Sequence, residues 1–165
     1  MISTKMESAL NTQAKNEFFS AYLYISMGAY FKRLTLPGFA HWTLVQAQEE
    51  NQHALRFMNY IIDRGGSVSL DAIEKPKSSW QSPQEVFEDI VKHERKVSDS
   101  INKLVEMAHS ENDYATSNML QWFVKEQVEE ESSTAEILAM LKDYIKDSKT
   151  GLLFLDKKLA KRTLD

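Results

Sequence analysis

The sequence predicts an all-α protein: a four-helix bundle with one long crossover between its second and third helices, and a short C-terminal fifth helix. Three observations predict it. Chain breakers are scarce, with five Gly and three Pro in 165 residues, so the elements between them must be long. Apolar residues recur in alternating steps of three and four through four separate segments, the pattern of a seam between nearly parallel helices. One connection is long enough to travel the full length of such a helix.

The first helix is expected at about 4–33, ahead of the break at Leu36-Pro37-Gly38, with the seam Leu10, Ala14, Glu17, Ala21, Tyr24, Gly28 and Phe31. The second, about 38–65, carries Phe39, Trp42, Gln46, Glu50, His53, Phe57 and Tyr60, and Gly65 suits its C-terminal stop. The stretch from Gly66 to Ser82 reaches about 55 Å when extended. A helix of 28 residues is only about 42 Å long, so the third helix can start parallel to the second. Val68 and Leu70, alternating with Ser67 and Ser69, fit an extended strip on the outside. The third helix, about 83–110, opens on a capping box of Ser82, Pro83 and Glu85. Its seam is Phe87, Ile90, Glu94, Val97, Ile101, Leu104 and Ala108. The fourth, about 113–146, carries Leu120, Phe123, Gln127, Glu130, Thr134, Ile137, Leu141 and Tyr144. A break from Asp147 to Gly151 precedes the fifth helix, about 151–163, and residues 1–165 read as one domain.

Composition excludes several function classes. Lys+Arg 20 against Asp+Glu 24 gives a net charge of −4, with no global pull toward nucleic acid or anionic lipid. No apolar run approaches the ~20 residues of a membrane span. Met1 to Lys5 lack the apolar stretch of a signal peptide. The expectation is a cytoplasmic chain with neither a nucleic-acid nor a membrane partner. Without Cys there is no disulfide, thiolate zinc site or cysteine nucleophile.

The chemistry lies where the seams are interrupted. Glu17, Glu50, His53, Glu94, Gln127 and Glu130 occupy positions that should be apolar, each near the middle of its helix. The spacing repeats: 33 residues separate Glu17 from Glu50 and also Glu94 from Gln127, and a second polar residue follows three positions later in each half. The chain thus reads as two helical hairpins about a pseudo-twofold axis, each sending three polar groups to one level. Several carboxylates buried together need a compensating charge. No Lys or Arg lies on these seams at that level, and two divalent cations cancel four carboxylates. A carboxylate-rich, thiolate-free shell with one imidazole suits iron or manganese better than copper.

These residues carry a family resemblance. The segments Glu17 to Tyr24, Glu49 to Ala54, His93-Glu94 and Trp122 to Glu131 resemble the prokaryotic non-haem ferritins over essentially the whole chain. The resemblance implies a ferritin-like bundle with a di-iron ferroxidase centre. One iron would be held by Glu17, Glu50 and His53, the other by Glu50, Glu94 and Glu130, with Glu50 bridging. Gln127 would hydrogen-bond beside the ligands. Tyr24 would sit next to the centre and donate an electron or a proton. Glu49, Glu126 and Glu129, with Glu130, match a possible third iron site. The implied function is iron storage: oxidation of Fe(II) by O2 or H2O2, with ferric oxide deposited inside a homo-oligomeric shell of roughly two dozen subunits, a 24-mer.

Departures narrow the reading. The slot that repeats Glu-x-x-His in symmetric di-iron bundles holds Gln127-Val128-Glu129-Glu130, so the two metal positions are unequal. The haem-ligating methionine of bacterioferritins falls at Asn51, and no haem is expected. The acidic pair that lines the pores of animal ferritins falls on Ser117 and Leu120. His41, His93 and His109 lie off the seams and read as surface or packing residues. The rival function is a di-iron oxidase or peroxide scavenger with fixed metals, like rubrerythrin. It lacks support here because the second Glu-x-x-His and the rubredoxin cysteines are missing. The fifth helix, with Leu152, Leu153, Phe154, Leu155, Leu159 and Ala160, is expected to find no home within the monomer and to drive association.

Overall fold

The computed structural model describes residues 1–145 and 148–164, apart from the Tyr144 side chain. The predicted seam position Tyr144, the predicted helix end at Lys146, the Asp147 of the last break, and Asp165 fall outside that description. Four long helices form: α1 (Thr4–Arg33), α2 (Pro37–Asp63), α3 (Pro83–Ser110) and α4 (Tyr114–Ala139). A π-helical turn, Met140–Tyr144, continues α4, and α5 spans Lys149–Leu159. No strand occurs among the described residues.

Local chemistry sets the boundaries. The Ser3 hydroxyl accepts from the Met6 amide at 3.0 Å and starts α1. Asp113 caps α4 by accepting from the Thr116 amide at 3.1 Å, and its carboxylate also pairs with Arg64 at 3.0 Å. At α3 the Ser82 hydroxyl accepts from the Glu85 amide at 3.1 Å. The Glu85 carboxylate returns to the Gln81 amide at 2.6 Å, one residue earlier than a reciprocal capping box. Gly65, at φ +74, ends α2 in the left-handed conformation that glycine adopts without penalty. The expected boundaries move most at the fourth and fifth helices, and α5 also ends at Leu159 instead of near 163. α4 gives way to the π turn at Met140. α5 starts at Lys149 because the Ser148 hydroxyl caps it by accepting from the Gly151 amide at 3.0 Å. Gly151 therefore lies inside the first turn instead of breaking the chain.

The crossover direction can be read from its contacts with α1. Asn11 bonds Ser67 and Ser69, Lys15 pairs with Glu74, Ser26 bonds the Lys77 carbonyl, and Arg33 bonds the Ser78 carbonyl. The connection thus runs alongside α1 from its beginning to its end. Val68 packs partly against the core, while Leu70 is exposed.

Two apolar blocks fill the interior, one toward each end of the bundle. One contains Met6, Leu10 and Ala14 of α1, Phe57 and Ile61 of α2, Val97 to Ala108 of α3, and Leu120 and Phe123 of α4. The other contains Tyr24 to Phe31, Phe39 to Ala47, Val86 to Ile90, Ile137 and Leu141, with Leu155 and Leu159 of α5. α2 and α3 pass through these blocks in the same order, and α1 and α4 in the opposite order. The second and third helices are therefore parallel, as the long crossover requires. The fifth helix does have a home in the monomer, contrary to the expectation: Leu155 and Leu159 are buried against the first hairpin. Its other face leaves Leu153 at 56% and Phe154 at 75% exposure.

Candidate metal centre

Between the two apolar blocks lies a polar layer. α1 contributes Glu17, α2 Glu50 and His53, α3 Glu94, and α4 Gln127 and Glu130, all buried. Each helix crosses from one block to the other at this level, so every mid-helix seam position meets here. Among the described residues no Lys or Arg is buried.

Glu17, Glu50 and His53 converge most closely, each offering one donor atom within 4.8 Å of the others. His53 Nδ1 stands 3.4 Å from a Glu50 oxygen. No other trio of His, Asp or Glu donors among the described residues comes so near. Glu94 and Glu130 border the trio without joining it. Glu94 accepts from the Tyr24 hydroxyl at 2.5 Å and from the Gln127 amide at 3.2 Å. Gln127 also reaches the Glu94 carbonyl and Ser98, whose hydroxyl bonds Glu131.

Two glutamines outside the predicted site residues steady this layer. Gln13 donates to Glu17 at 2.8 Å, and Gln46 donates to Glu50 at 3.2 Å. Each sits four residues before its glutamate, so helical spacing alone put them on the same face. Gln46 was visible as a seam residue but was one turn short of the polar level.

The electrostatics show an acidic layer short of positive charge. Burial, reinforced by Glu50, pushes the Glu17 carboxyl up to about 8. Burial and Glu50 likewise raise Glu130 to about 7, and Glu94 well above the carboxylate range. Burial alone would raise Glu50 too, but the bond and charge of His53 outweigh it and lower this carboxyl. Burial disfavours the imidazolium of His53, yet Glu50 and Glu17 hold it up to about 9. Burial and Glu94 raise the Tyr24 hydroxyl well above its usual range. One oxygen each of Glu17 and Glu130 is buried without a hydrogen-bond partner. A buried carboxylate oxygen with no hydrogen-bond partner suits a hard cation, which takes oxygen ligands.

The remaining candidates line a cavity of about 490 Å³ on the α2–α4 side, bordered by Glu49, His53, Trp122, Glu126, Glu129 and Glu130. Glu49 is buried rather than on the open surface, bonded to Arg162 of the C-terminal tail. Glu126 is half-buried, and Glu129 is exposed and pairs with Lys125 at 3.5 Å. The Trp122 ring meets His53 edge-on, with centroids 5.4 Å apart, and carries the Arg56 guanidinium on its face. The three other histidines stay out of the layer. His93 bonds Ser20, His41 the Arg162 carbonyl and His109 Ser117.

Fold and interior together define a four-helix-bundle protein with a buried acidic layer between its helices, in which Glu17, Glu50 and His53 could hold a metal ion. The chain belongs to the ferritin family, whose ferritin-like domain model matches residues 7–143. It is 43% identical over 162 residues to a bacterial non-heme ferritin of Bacteroides fragilis, spanning 98% of this chain and 100% of that one. A bacterial non-heme ferritin of Staphylococcus aureus is 38% identical over 165 residues, covering 100% and 99%. Among solved structures, an open pore ferritin of the archaeon Archaeoglobus fulgidus superimposes with a TM-score of 0.97 at 49% identity, covering 99% of this chain and 100% of that one. An engineered closed form of that protein gives a TM-score of 0.98 at 48% identity, with both chains fully covered. No helix among the described residues is long and apolar enough to cross a membrane.

Proposed function

We propose that this chain is an iron-storage ferroxidase. It oxidises Fe(II) at two positions inside the bundle and keeps the ferric product as hydrated oxide within a closed shell of about two dozen subunits. The observation that carries the reading is the buried acidic layer: four carboxylates, two of them with orphaned oxygens, and no buried Lys or Arg among the described residues. Two divalent ions supply the missing charge. Glu17, Glu50 and His53 take one, Glu50, Glu94 and Glu130 the other, and Glu50 serves both.

Oxygen donors favour Fe(III) over Fe(II), so this site lowers the iron potential and promotes oxidation. Two Fe(II) ions give one electron each. O2 takes both with two protons and leaves as H2O2, or H2O2 takes both with two protons and leaves as two waters. Gln127 holds the Glu94 carboxylate toward the centre. Tyr24, bonded to the same carboxylate, supplies a hydroxyl able to return a proton or an electron. Carboxylates exchange readily, so the ferric product can leave. Glu49, Glu126 and Glu129 with Glu130 form an outer position on its way.

The test is iron retained per assembly after aerobic addition of Fe(II). A storage protein holds many ions per chain in a soluble, high-mass particle. A bundle oxidase with fixed metals saturates at about two per chain. Saturation at that level would overturn the storage reading.

A further inference from the structure

The C-terminal tail is delivered to the metal-facing cavity by a chain of close contacts. α5 lies directly on the start of α2: a Cβ on Gly38 would fall 1.7 Å from the Asp156 carbonyl oxygen. The Asp156 carboxylate accepts from the Phe39 amide at 3.0 Å. Beyond α5, the Arg162 amide donates to the Leu159 carbonyl, and the Arg162 carbonyl lies 2.8 Å from His41 Nε2. The backbone at Arg162 is therefore held on both sides. Its guanidinium stands 4.4 Å from the centre of the Trp42 ring and bonds Glu49. It lines the same cavity as Glu126, Glu129 and Glu130.

We propose that Arg162 is a built-in cation of the outer acidic pocket, which a metal ion must displace from Glu49 before that pocket can fill. This rests on reading Glu49, Glu126, Glu129 and Glu130 as an outer metal position. Holding an arginine near the chain end costs rotamer entropy. Here a ring platform, a carboxylate and a fixed backbone offset that cost. A metal at Glu49 and a guanidinium bonded to it would be like charges a few ångströms apart, so only one can stay. Glu130 keeps a buried oxygen without a partner at the cavity wall, an acceptor for the ion that Arg162 does not use.

Two consequences follow for the proposed reaction. The outer position takes metal more weakly than the central pair, and a trivalent ion competes with the guanidinium better than a divalent one. Filling it releases the tail from Trp42, so occupancy inside the bundle is reported at α5. Lysine cannot replace arginine fully, because an ammonium lacks the planar face that stacks on the ring.

The experiment titrates metal-free, full-length protein with Zn2+, which has no redox chemistry, following heat and tryptophan emission together. Wild type is expected to show a weaker class of sites beyond the central pair, with an emission change as it fills. In Arg162→Gln that class should tighten by about ten- to a hundredfold, the scale of a charge-assisted hydrogen bond, and the emission change should vanish. Arg162→Lys should fall between. Adding Glu126→Gln to Arg162→Gln should remove the tightened class, tying it to this pocket. Equal affinity of the weaker class in wild type, Arg162→Gln and Arg162→Lys, or an emission change that persists in Arg162→Gln, overturns the proposal. Absence of any weaker class in every protein overturns the outer-position reading itself, and the role of Arg162 with it.

Discussion

Glu50 carries the most weight of any single residue in the proposed centre, because the proposal has it serve both metal positions and it pairs with His53. Glu50→Ala or His53→Ala should slow Fe(II) oxidation by about a hundredfold or more while the bundle stays folded. Stopped-flow traces matching wild type would remove both from the centre. Gln127→Ala acts through Glu94 and should weaken the second metal by about ten- to a hundredfold, read as Zn2+ affinity, leaving the first unchanged. The layer also makes the metal-free fold sensitive to pH. Glu17 titrates at about 8 and Glu130 at about 7 in the fold, against an ordinary 4.5, and His53 at about 9 against 6.5. All three are raised, so the folded chain holds protons that the unfolded chain has already released, and stability is lost as pH rises through the folded values. His93, lowered chiefly by its burial, acts only below its ordinary 6.5. The melting temperature of the metal-free protein should therefore fall from pH 6.5 to 9, and Zn2+ or Glu17→Gln should flatten the fall. A level profile in metal-free wild type would contradict the buried acidic layer.

The elements are tied together by side chains that reach across, and α5 shows this best. α2 begins with Pro37 and has no side-chain cap of its own at Leu36. Asp156 supplies one from α5, and Gly38 supplies the clearance that lets α5 approach. Asp156→Ala should cost about 0.5–2 kcal/mol, the usual worth of a helix cap. Gly38→Ala forces the two backbones apart and should cost about 1–3 kcal/mol, as overpacking does. Both variants should expose the tail to protease before the bundle unfolds. If cleavage stays as slow as in wild type, α5 is held by its apolar face alone, through Leu155 and Leu159.

At the scale of the whole molecule, α5 faces two ways. Its inner face completes one apolar block, while Leu153 and Phe154 stay open to solvent beside it. Burial of such side chains is worth about 1.5–3 kcal/mol each, multiplied around a symmetry axis in a closed assembly. The double change Leu153→Glu and Phe154→Glu should leave the monomer folded, since neither residue is in its core. The shell should open or dissociate, and Fe(II) should still be oxidised but precipitate instead of being retained. Analytical ultracentrifugation with iron counting checks this, and an unchanged closed, iron-holding particle would show that this face plays no part in assembly.

Much of this was legible in the sequence because the signals are local or strictly periodic. Long runs without Gly or Pro had to be helical, and steps of three and four had to form seams. Carboxylates at matched depths on four such seams, Glu17, Glu50, Glu94 and Glu130, had to meet, since antiparallel helices of similar length share one midpoint. The crossover was decided by reach alone. What only the tertiary structure decided depends on contacts between parts of the chain with no shared period. The docking of α5 turns on Gly38 and Asp156, which lie 118 positions apart and look ordinary in isolation. Arg162 reads as one charge in a basic tail until the fold lays it on Trp42 and Glu49. The unequal roles of the four glutamates are likewise three-dimensional: His53 supplies the counter-charge that keeps Glu50 ionised, while Glu17, Glu94 and Glu130 meet burial without enough of it. Periodicity states which residues face inward. Only packing states which of them find a partner there, because the energy of a buried charge is set by the few atoms it touches.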